Sequence, residues 1–163
     1  MSDDNLKAVY QELCTSYRAI DDFRMKLLAF LPFATGGIFV LVDAERIEIV
    51  KQHTFFLGLF GFVFTLGLFS LELFGIRKCG ALIDAGKQME REKLVISGQF
   101  TSRPRDICGL VNEPFAAAVI YPAVLAAWIY LAIGTWSVPI AIFVVGFFGT
   151  VLFDAWLKRY LRL

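Results

Sequence analysis

The sequence contains one histidine and three cysteines, which limits the chemistry it can support. A haem held between two histidines is excluded, because His53 has no second histidine to supply the other axial ligand. His53 has no second ligand residue at a suitable spacing, so the sequence gives little support to metal binding or pH sensing by this residue. Cys14, Cys79 and Cys108 form no Cys-x-x-Cys motif, which argues against a thiol oxidase. Because no nucleophile–base pair or metal-ligand set stands out, we expect no enzymatic activity and no cofactor.

Charged residues are nearly absent from four apolar stretches, at roughly 27–42, 55–76, 115–133 and 138–156. Each stretch approaches the roughly 20 residues that a helix needs to cross a bilayer. Hydrophobic residues make up 58% of the chain, a composition typical of membrane proteins. The sequence therefore predicts an all-α integral membrane protein with four transmembrane helices and a cytoplasmic helical collar, assembled as a homo-oligomer.

Basic residues lie almost entirely on one side of the predicted spans. Of the 16 lysines and arginines, all except Arg46 and Lys51 precede the first span, lie between the second and third, or follow the fourth. The positive-inside rule makes these segments cytoplasmic and places both termini inside a cell (inner) membrane. The cysteines then lie in a reducing compartment, where a structural disulfide is not expected. The basic excess is expected to face anionic lipid headgroups and not nucleic acid.

This topology divides the chain into five segments. They are a cytoplasmic amphipathic helix (1–26), a first transmembrane hairpin (27–76), a cytoplasmic helix and loop (77–113), a second transmembrane hairpin (114–157) and a basic cytoplasmic tail (158–163). The first helix carries a heptad-like seam of apolar residues: Leu6, Tyr10, Leu13, Tyr17 and Ile20. We expect it either to pack on its own chain's cytoplasmic helix or to bundle with other copies, forming a cytoplasmic collar.

The first span is marked by a proline and by small residues. Pro32 favours a kink. Thr35, Gly36 and Gly37 fall near the middle of the bilayer and permit close approach to a neighbouring helix or a symmetry axis. This span is therefore the preferred lining element of a pore.

Four charged residues stand just before that span: Asp21, Asp22, Arg24 and Lys26. Such a cluster commonly fixes the depth of a helix in the membrane through local ion pairs. The alternative is that it forms a vestibule or a docking surface for the loop between the two hairpins. In either case these residues, with Pro32, are candidates for gating or for an interface.

Two acids, Glu72 and Asp154, are embedded in apolar runs near the cytoplasmic ends of their spans. One interpretation is interfacial pairing, with Asp154 bound to Lys158 and Glu72 placed near Arg77 and Lys78. The other is an ion pathway, because intramembrane carboxylates often mark one. In an oligomer, copies of either acid would form a ring that favours cations.

The loop between the hairpins carries Arg103 and Arg105, whose guanidinium groups suit phosphate oxygens. No glycine-rich phosphate loop accompanies them, so contact with lipid headgroups or another anion is expected. Asn112 is the predicted N-cap of the third span, with Glu113 and Pro114 in its first turn.

These features favour a homo-oligomeric ion channel or pore that conducts cations and is gated through its cytoplasmic helices. The first alternative is a non-conducting scaffold or regulatory protein that recruits a cytoplasmic protein partner. The second is a small proton-coupled transporter. The small multidrug-resistance transporters also have four short helices, but they carry their acid in the first helix, so the similarity stops at helix count. The layout is closer to that of small bacterial membrane effectors with a cytoplasmic helix and a helical hairpin, although no diagnostic motif is shared.

Overall fold

A computed structural model of the chain describes residues 3–41, 47–92, 94, 96, 98–103 and 112–160, with side chains for 4–31, 53–92, 94, 96, 98–103, 112–156 and 159. Its regular elements are four helices: α1 (Asp3–Leu41), α2 (Ile47–Arg91), α3 (Glu113–Ile133) and α4 (Ser137–Tyr160). Within the described residues all regular structure is helical, which confirms the all-α prediction.

Three of these helices, α2, α3 and α4, are long and apolar enough to span a membrane. α2 has 45 residues, and at 1.5 Å per residue its length of about 68 Å is more than twice the bilayer core of about 30 Å. Its apolar part, 55–76, has about the length that crosses a bilayer core, and its charged part, 77–91, is additional to that length. The first predicted span is helical as far as Leu41. The side chains of this span after Leu31 lie outside those that the structure describes, so the four-span topology stays a prediction.

Two helices extend further than the apolar pattern indicates. α2 begins at Ile47, eight residues before the start of the predicted span at residue 55. The helix extends over 47–54 because no glycine or proline interrupts these residues. α4 continues to Tyr160, into the predicted basic tail. α1 passes through Pro32 without a break in the helix.

Both ends of α3 are capped, and the N-cap is the predicted one. Asn112 is the N-cap, and its side-chain oxygen accepts a hydrogen bond from the backbone N–H of Phe115 at 2.9 Å. Gly134 is the C-cap with a φ of 75°, a left-handed conformation that favours glycine. The chain then turns directly into α4, so α3 and α4 form an antiparallel hairpin.

Successive helices pack against each other: α1 on α2, α2 on α3 and α3 on α4. Two apolar clusters result. One lies among α2, α3 and the middle of α1 and contains Leu31, Leu68, Ala117 and Tyr121. The other lies at the polar end of the bundle, where α1 begins and α2 ends, and contains Tyr10, Cys14, Tyr17, Cys79 and Phe100. The N-terminal helix therefore packs on its own chain, which is the first of the two predicted arrangements.

Small residues bring α2 and α3 close together. A Cβ atom at Gly58 would lie 2.7 Å from the Cβ of Ala132, and one at Gly61 would overlap the indole ring of Trp128. Gly67, on the same helix, has no atom within 4 Å of a built Cβ. The tight face of α2 is therefore formed by Gly58 and Gly61 and does not include Gly67.

The outward faces of α2 and α4 are apolar. Their exposed large side chains include Phe55, Phe56, Leu59, Phe60, Val63, Phe64, Leu66, Leu71 and Phe74 on α2, and Val138, Ile140, Val144, Val145, Phe148, Val151, Leu152, Phe153 and Trp156 on α4. Exposed apolar surface of this extent is typical of a membrane-embedded protein. On length and composition, the three helices are compatible with that environment.

Candidate functional site

The best-defined polar site is centred on Arg24, which lies on α1 just before the apolar run. Its side chain is directed into the bundle, and the residue is 5% exposed. The Nη2 atom donates to Oε1 of Glu72 on α2 at 2.7 Å, and Nε donates to the same oxygen at 3.1 Å. The Nη1 atom donates to Oε2 of Glu113, in the first turn of α3, at 2.7 Å. One guanidinium group thus connects three helices.

The inward direction of Arg24 follows from its position on α1. It occurs one helical turn after Ile20 and continues the seam that packs on α2. Gly75 on α2 makes room for its stem, because a Cβ there would lie 2.8 Å from Cδ and 2.9 Å from Cγ of Arg24. A larger residue at position 75 would displace the arginine from its carboxylate partners.

Two further charged residues lie beside this centre. Asp21, one turn earlier on α1, lies 3.7 Å from Nη1 of Arg24. Arg103, in the loop before α3, lies 3.6 Å from Oε1 of Glu113, and its guanidinium carbon lies 4.6 Å from the centre of the Tyr17 ring. We call these five residues, Asp21, Arg24, Glu72, Arg103 and Glu113, the Arg24 network.

The electrostatics of the Arg24 network keep the arginine charged. Burial lowers the pKa of Arg24, but its hydrogen bonds to Glu72 and Glu113 outweigh burial and raise that pKa above the ordinary arginine value. Three carboxylates face two guanidinium groups, so the network has one excess negative charge when all groups are ionised. Glu72 is 2% exposed, and its Oε2 atom has no hydrogen-bond partner among the described residues.

The loop that carries Arg103 is fastened to the end of α2 by Glu90. The Glu90 carboxylate accepts hydrogen bonds from the Tyr10 hydroxyl at 2.6 Å and from the backbone N–H groups of Phe100 and Thr101 at 3.0 and 2.8 Å. Phe100 inserts between the helices, is 2% exposed and contacts the rings of Tyr10 and Tyr17 edge-on. This arrangement holds residues 98–103 against the helices and thereby positions Arg103.

Glu90 makes the anchoring of this loop depend on pH. Burial alone would raise the pKa of Glu90, but the hydrogen bonds from Tyr10, Phe100 and Thr101 lower it from 4.5 to about 2. Glu90 therefore stabilises the fold above its ordinary pKa, and this contribution is lost as the pH falls from 4.5 toward 2. We expect Glu90→Gln to lower the unfolding temperature in detergent at neutral pH, with a difference from wild type that shrinks over that interval.

The matched control is Glu92→Gln, because Glu92 is exposed and accepts its hydrogen bond from the neighbouring Gln88 side chain. Thermal unfolding followed by tryptophan fluorescence, at a series of pH values, makes the comparison. A Glu90→Gln effect that does not change with pH would rule out this role for the carboxylate.

The Arg24 network brings together several of the sequence candidates. Asp21 and Arg24 take part in it, whereas Asp22 and Lys26 are exposed. Glu72 pairs with Arg24, 48 residues away, and not with Arg77 or Lys78 as the local interpretation had it. Arg103 contacts Glu113 and Tyr17, and the docking of this loop on the charged cluster was one of the two predicted arrangements.

The remaining candidate residues lie away from the Arg24 network or outside the part of the chain that the structure describes. Asp154 is half-buried on α4, and the side chain of its predicted partner Lys158 is outside the described residues. Pro32, Thr35, Gly36 and Gly37 belong to α1, but their side chains are also outside the described ones. Arg105 and Cys108 lie in a segment outside the described residues.

Other chemistry at the polar end is limited. Cys14 and Cys79 are buried free thiols, and burial raises the pKa of Cys79 although nearby Arg24 acts to lower it. Within the residues described, no three His, Cys, Asp or Glu side chains come together as metal ligands. Comparisons of this chain with models of protein families, with curated proteins and with solved structures find no match.

Proposed function

We propose that this chain is a multi-pass protein of the cell's inner membrane that assembles into a homo-oligomeric, cation-conducting channel or pore. Its termini lie in the cytoplasm, and its cytoplasmic helices control conduction. The observation that carries the proposal is the buried Arg24 network, which joins the cytoplasmic half of α1 to the ends of two apolar helices. Charges embedded at membrane helices are costly to bury and commonly mark ion pathways or their gates.

The network supports a closed state in which Glu72 is held by Arg24. Oε1 of Glu72 accepts two N–H groups of one arginine, so the charge of this carboxylate is compensated and attracts a passing cation less strongly. A shift of α1 away from α2 would separate Arg24 from Glu72 and expose that acid at the cytoplasmic mouth. Switching by rearrangement of a buried ion pair at a helix interface is a known kind of two-state element. Glu72 is thus assigned to the gate, and the Thr35–Gly37 part of α1 stays the preferred pore lining.

Self-association is supported by surface that the single chain leaves uncovered. Ala123 and Ala127 on α3 are exposed, and they are spaced four residues apart on one face of the helix. Small residues at this spacing allow another membrane helix to approach closely. A second copy of the chain is the proposed neighbour, because one four-helix unit has little interior in which to place a path for hydrated cations.

The proposal predicts that weakening the bond between Arg24 and Glu72 opens the channel. In Glu72→Gln the side chain stays nearly the same size but loses its charge, so its bond to Arg24 weakens. If this costs the closed state about 1.4 kcal/mol, the ratio of open to closed protein rises roughly tenfold. We expect a comparable increase in K⁺ efflux from liposomes that contain the purified protein.

Asp22→Asn is the control for this experiment, since it removes an acid that is exposed on α1, two residues from Arg24. It should leave K⁺ efflux within about twofold of wild type, as surface charge pairs contribute little. Absence of efflux from wild type and Glu72→Gln at every protein load would contradict the channel and favour the scaffold. Equal efflux from all three proteins would show that the bond between Arg24 and Glu72 does not hold the channel closed.

A further inference from the structure

A row of unpaired polar groups runs along the interface between α2 and α3. It consists of Thr65 and Glu72 on α2, and Tyr121 and Trp128 on α3. These residues are between 0% and 4% exposed. The Thr65 hydroxyl, Glu72 Oε2, the Tyr121 hydroxyl and the Trp128 indole N–H have no hydrogen-bond partner among the described residues. We call these four groups the polar row.

The geometry of the two helices places the groups in one line. Thr65 and Glu72 are seven residues apart, as are Tyr121 and Trp128, so each pair occupies one helix face. Trp128 lies against Gly61, and the Tyr121 ring stacks on Phe69 with 5.0 Å between centroids. The order from the far end toward the Arg24 network is therefore Trp128, Thr65, Tyr121 and Glu72. From position 61 to position 72 the helical rise is about 16 Å, roughly half of a bilayer core.

Packing requirements do not explain four such groups in an apolar interface. Each buried polar atom without a partner costs free energy in a membrane interior, and an apolar side chain of similar size would avoid this cost. Hydroxyl groups both donate and accept hydrogen bonds, a carboxylate accepts them, and an indole N–H only donates. The row thus has a donor at one end, two hydroxyls in the middle and a proton acceptor at the other end. Two hydroxyls followed by a carboxylate can pass a proton in one direction along the row.

We propose that the polar row conducts protons through each copy of the chain, with water molecules bridging the four side chains. A hydronium ion that enters at the Trp128 end transfers a proton, through bridging water, to the Thr65 hydroxyl oxygen and becomes water. Each hydroxyl oxygen, or bridging water, gains one O–H bond and loses another to the next acceptor. The last O–H bond forms on Oε2 of Glu72, and nothing is oxidised or reduced. Trp128 orients water with its N–H and does not itself pass the proton.

Glu72 is suited to pass the proton onward because its two oxygens have different surroundings. Oε1 is bound to Arg24, and Oε2 is the oxygen without a partner. The charged and titratable groups around it are Arg24 and Asp21 from α1, Glu113 and Tyr121 from α3, and Arg103 from the loop. Glu113 has a side chain that is 47% exposed, so water reaches the network from the polar end and can take up the proton.

This path shares Glu72 with the proposed gate, but its other three groups lie inside one chain and need no second copy. Proton and K⁺ movements therefore test the two ideas independently. Proteoliposomes with an internal pH-sensitive dye and a K⁺ diffusion potential set by valinomycin report proton uptake. The same vesicles without valinomycin report K⁺ efflux.

The decisive variants remove one hydroxyl each with little change in volume. Thr65→Val and Tyr121→Phe should each reduce protein-dependent proton uptake by about tenfold or more, because each removes a proton-transfer group. The matched controls are Ser70→Ala, whose hydroxyl is exposed and bonds to the Leu66 carbonyl oxygen, and Tyr130→Phe, whose ring stacks on Trp136. Both controls should retain the wild-type rate.

Three outcomes would overturn the proton path. They are proton uptake no faster than in protein-free vesicles, equal uptake by all four variants, and K⁺ efflux without proton uptake. Proton uptake without K⁺ efflux would instead support the path and contradict the channel. As a second measurement, infrared spectra should contain a protonated-carboxyl band that is absent in Glu72→Gln and shifted in Tyr121→Phe but not in Tyr130→Phe. Lack of any Glu72 band across the pH range of uptake would also overturn the path.

Discussion

Replacing Arg24 with methionine is expected to lower the free energy of unfolding by about 3–5 kcal/mol, the usual cost of removing one partner from a buried ion pair. The methionine stem occupies much of the same space, so packing against Gly75 is largely kept. What is lost is the charge that compensates Glu72, which is 2% exposed and would be left as a buried carboxylate. Glu113 is less affected because its side chain is 47% exposed and lies near Arg103. Denaturant unfolding in detergent micelles measures the change.

Lys26→Met is the matched control, since Lys26 is an exposed cation on the same helix. Its replacement should change stability by less than about 1 kcal/mol. The double variant Arg24→Met with Glu72→Leu should recover part of the loss, because both buried charges are then removed together. If Arg24→Met is no more destabilising than Lys26→Met, the buried pair is not a main contributor to the fold.

Replacing Gly61 with alanine is expected to destabilise the chain by roughly 1–3 kcal/mol, as overpacking of a tight core does. The added methyl group would overlap the indole ring of Trp128, which is itself buried between α2 and α3. The ring must therefore move or the helices must separate. Because Trp128 belongs to the polar row, a shift of this ring should also slow proton uptake.

Gly67→Ala provides the control on the same helix. Nothing lies within 4 Å of a Cβ at Gly67, so this change should be neutral or should stabilise the helix by up to about 1 kcal/mol. Thermal unfolding of the two variants in the same detergent gives the comparison. A Gly61→Ala protein as stable as Gly67→Ala would show that α2 and α3 are not packed as closely as described.

The features that sequence predicted correctly are those with local signals. Long apolar runs predict helices, and three of the four are long and apolar enough to span a membrane. Asn112 marks the start of α3, because its side-chain acceptor acts on the neighbouring backbone. The apolar seam of α1 predicted a helix that packs either on its own chain or on other copies, and in the structure it packs on the end of α2.

The Arg24 network was not predicted, because its members are far apart in the chain. Arg24 is 48 residues from Glu72 and 89 from Glu113, whereas the local interpretation paired Glu72 with Arg77 or Lys78. A signal was present: Arg24 stands on the apolar seam of α1, and Glu72 stands in an apolar run of α2. A cation and an anion that both point into a core are expected to meet.

Phe100 was also missed, for a different reason. It is one aromatic residue in an irregular segment, and no period identifies it as buried. Its place depends on Gly86, where a Cβ would overlap the Phe100 ring, and on the two backbone N–H groups bound by Glu90. Only the packed helices reveal that this loop closes the polar end of the bundle.

Single-channel recording of the purified protein in a planar bilayer tests whether the proposed oligomer conducts ions and whether the bond between Arg24 and Glu72 holds it closed. We expect discrete current steps of the same amplitude for wild type and Arg24→Met, with Arg24→Met open for a larger fraction of the time. Current steps whose open fraction is the same in both proteins, or no steps in either, would contradict the proposal.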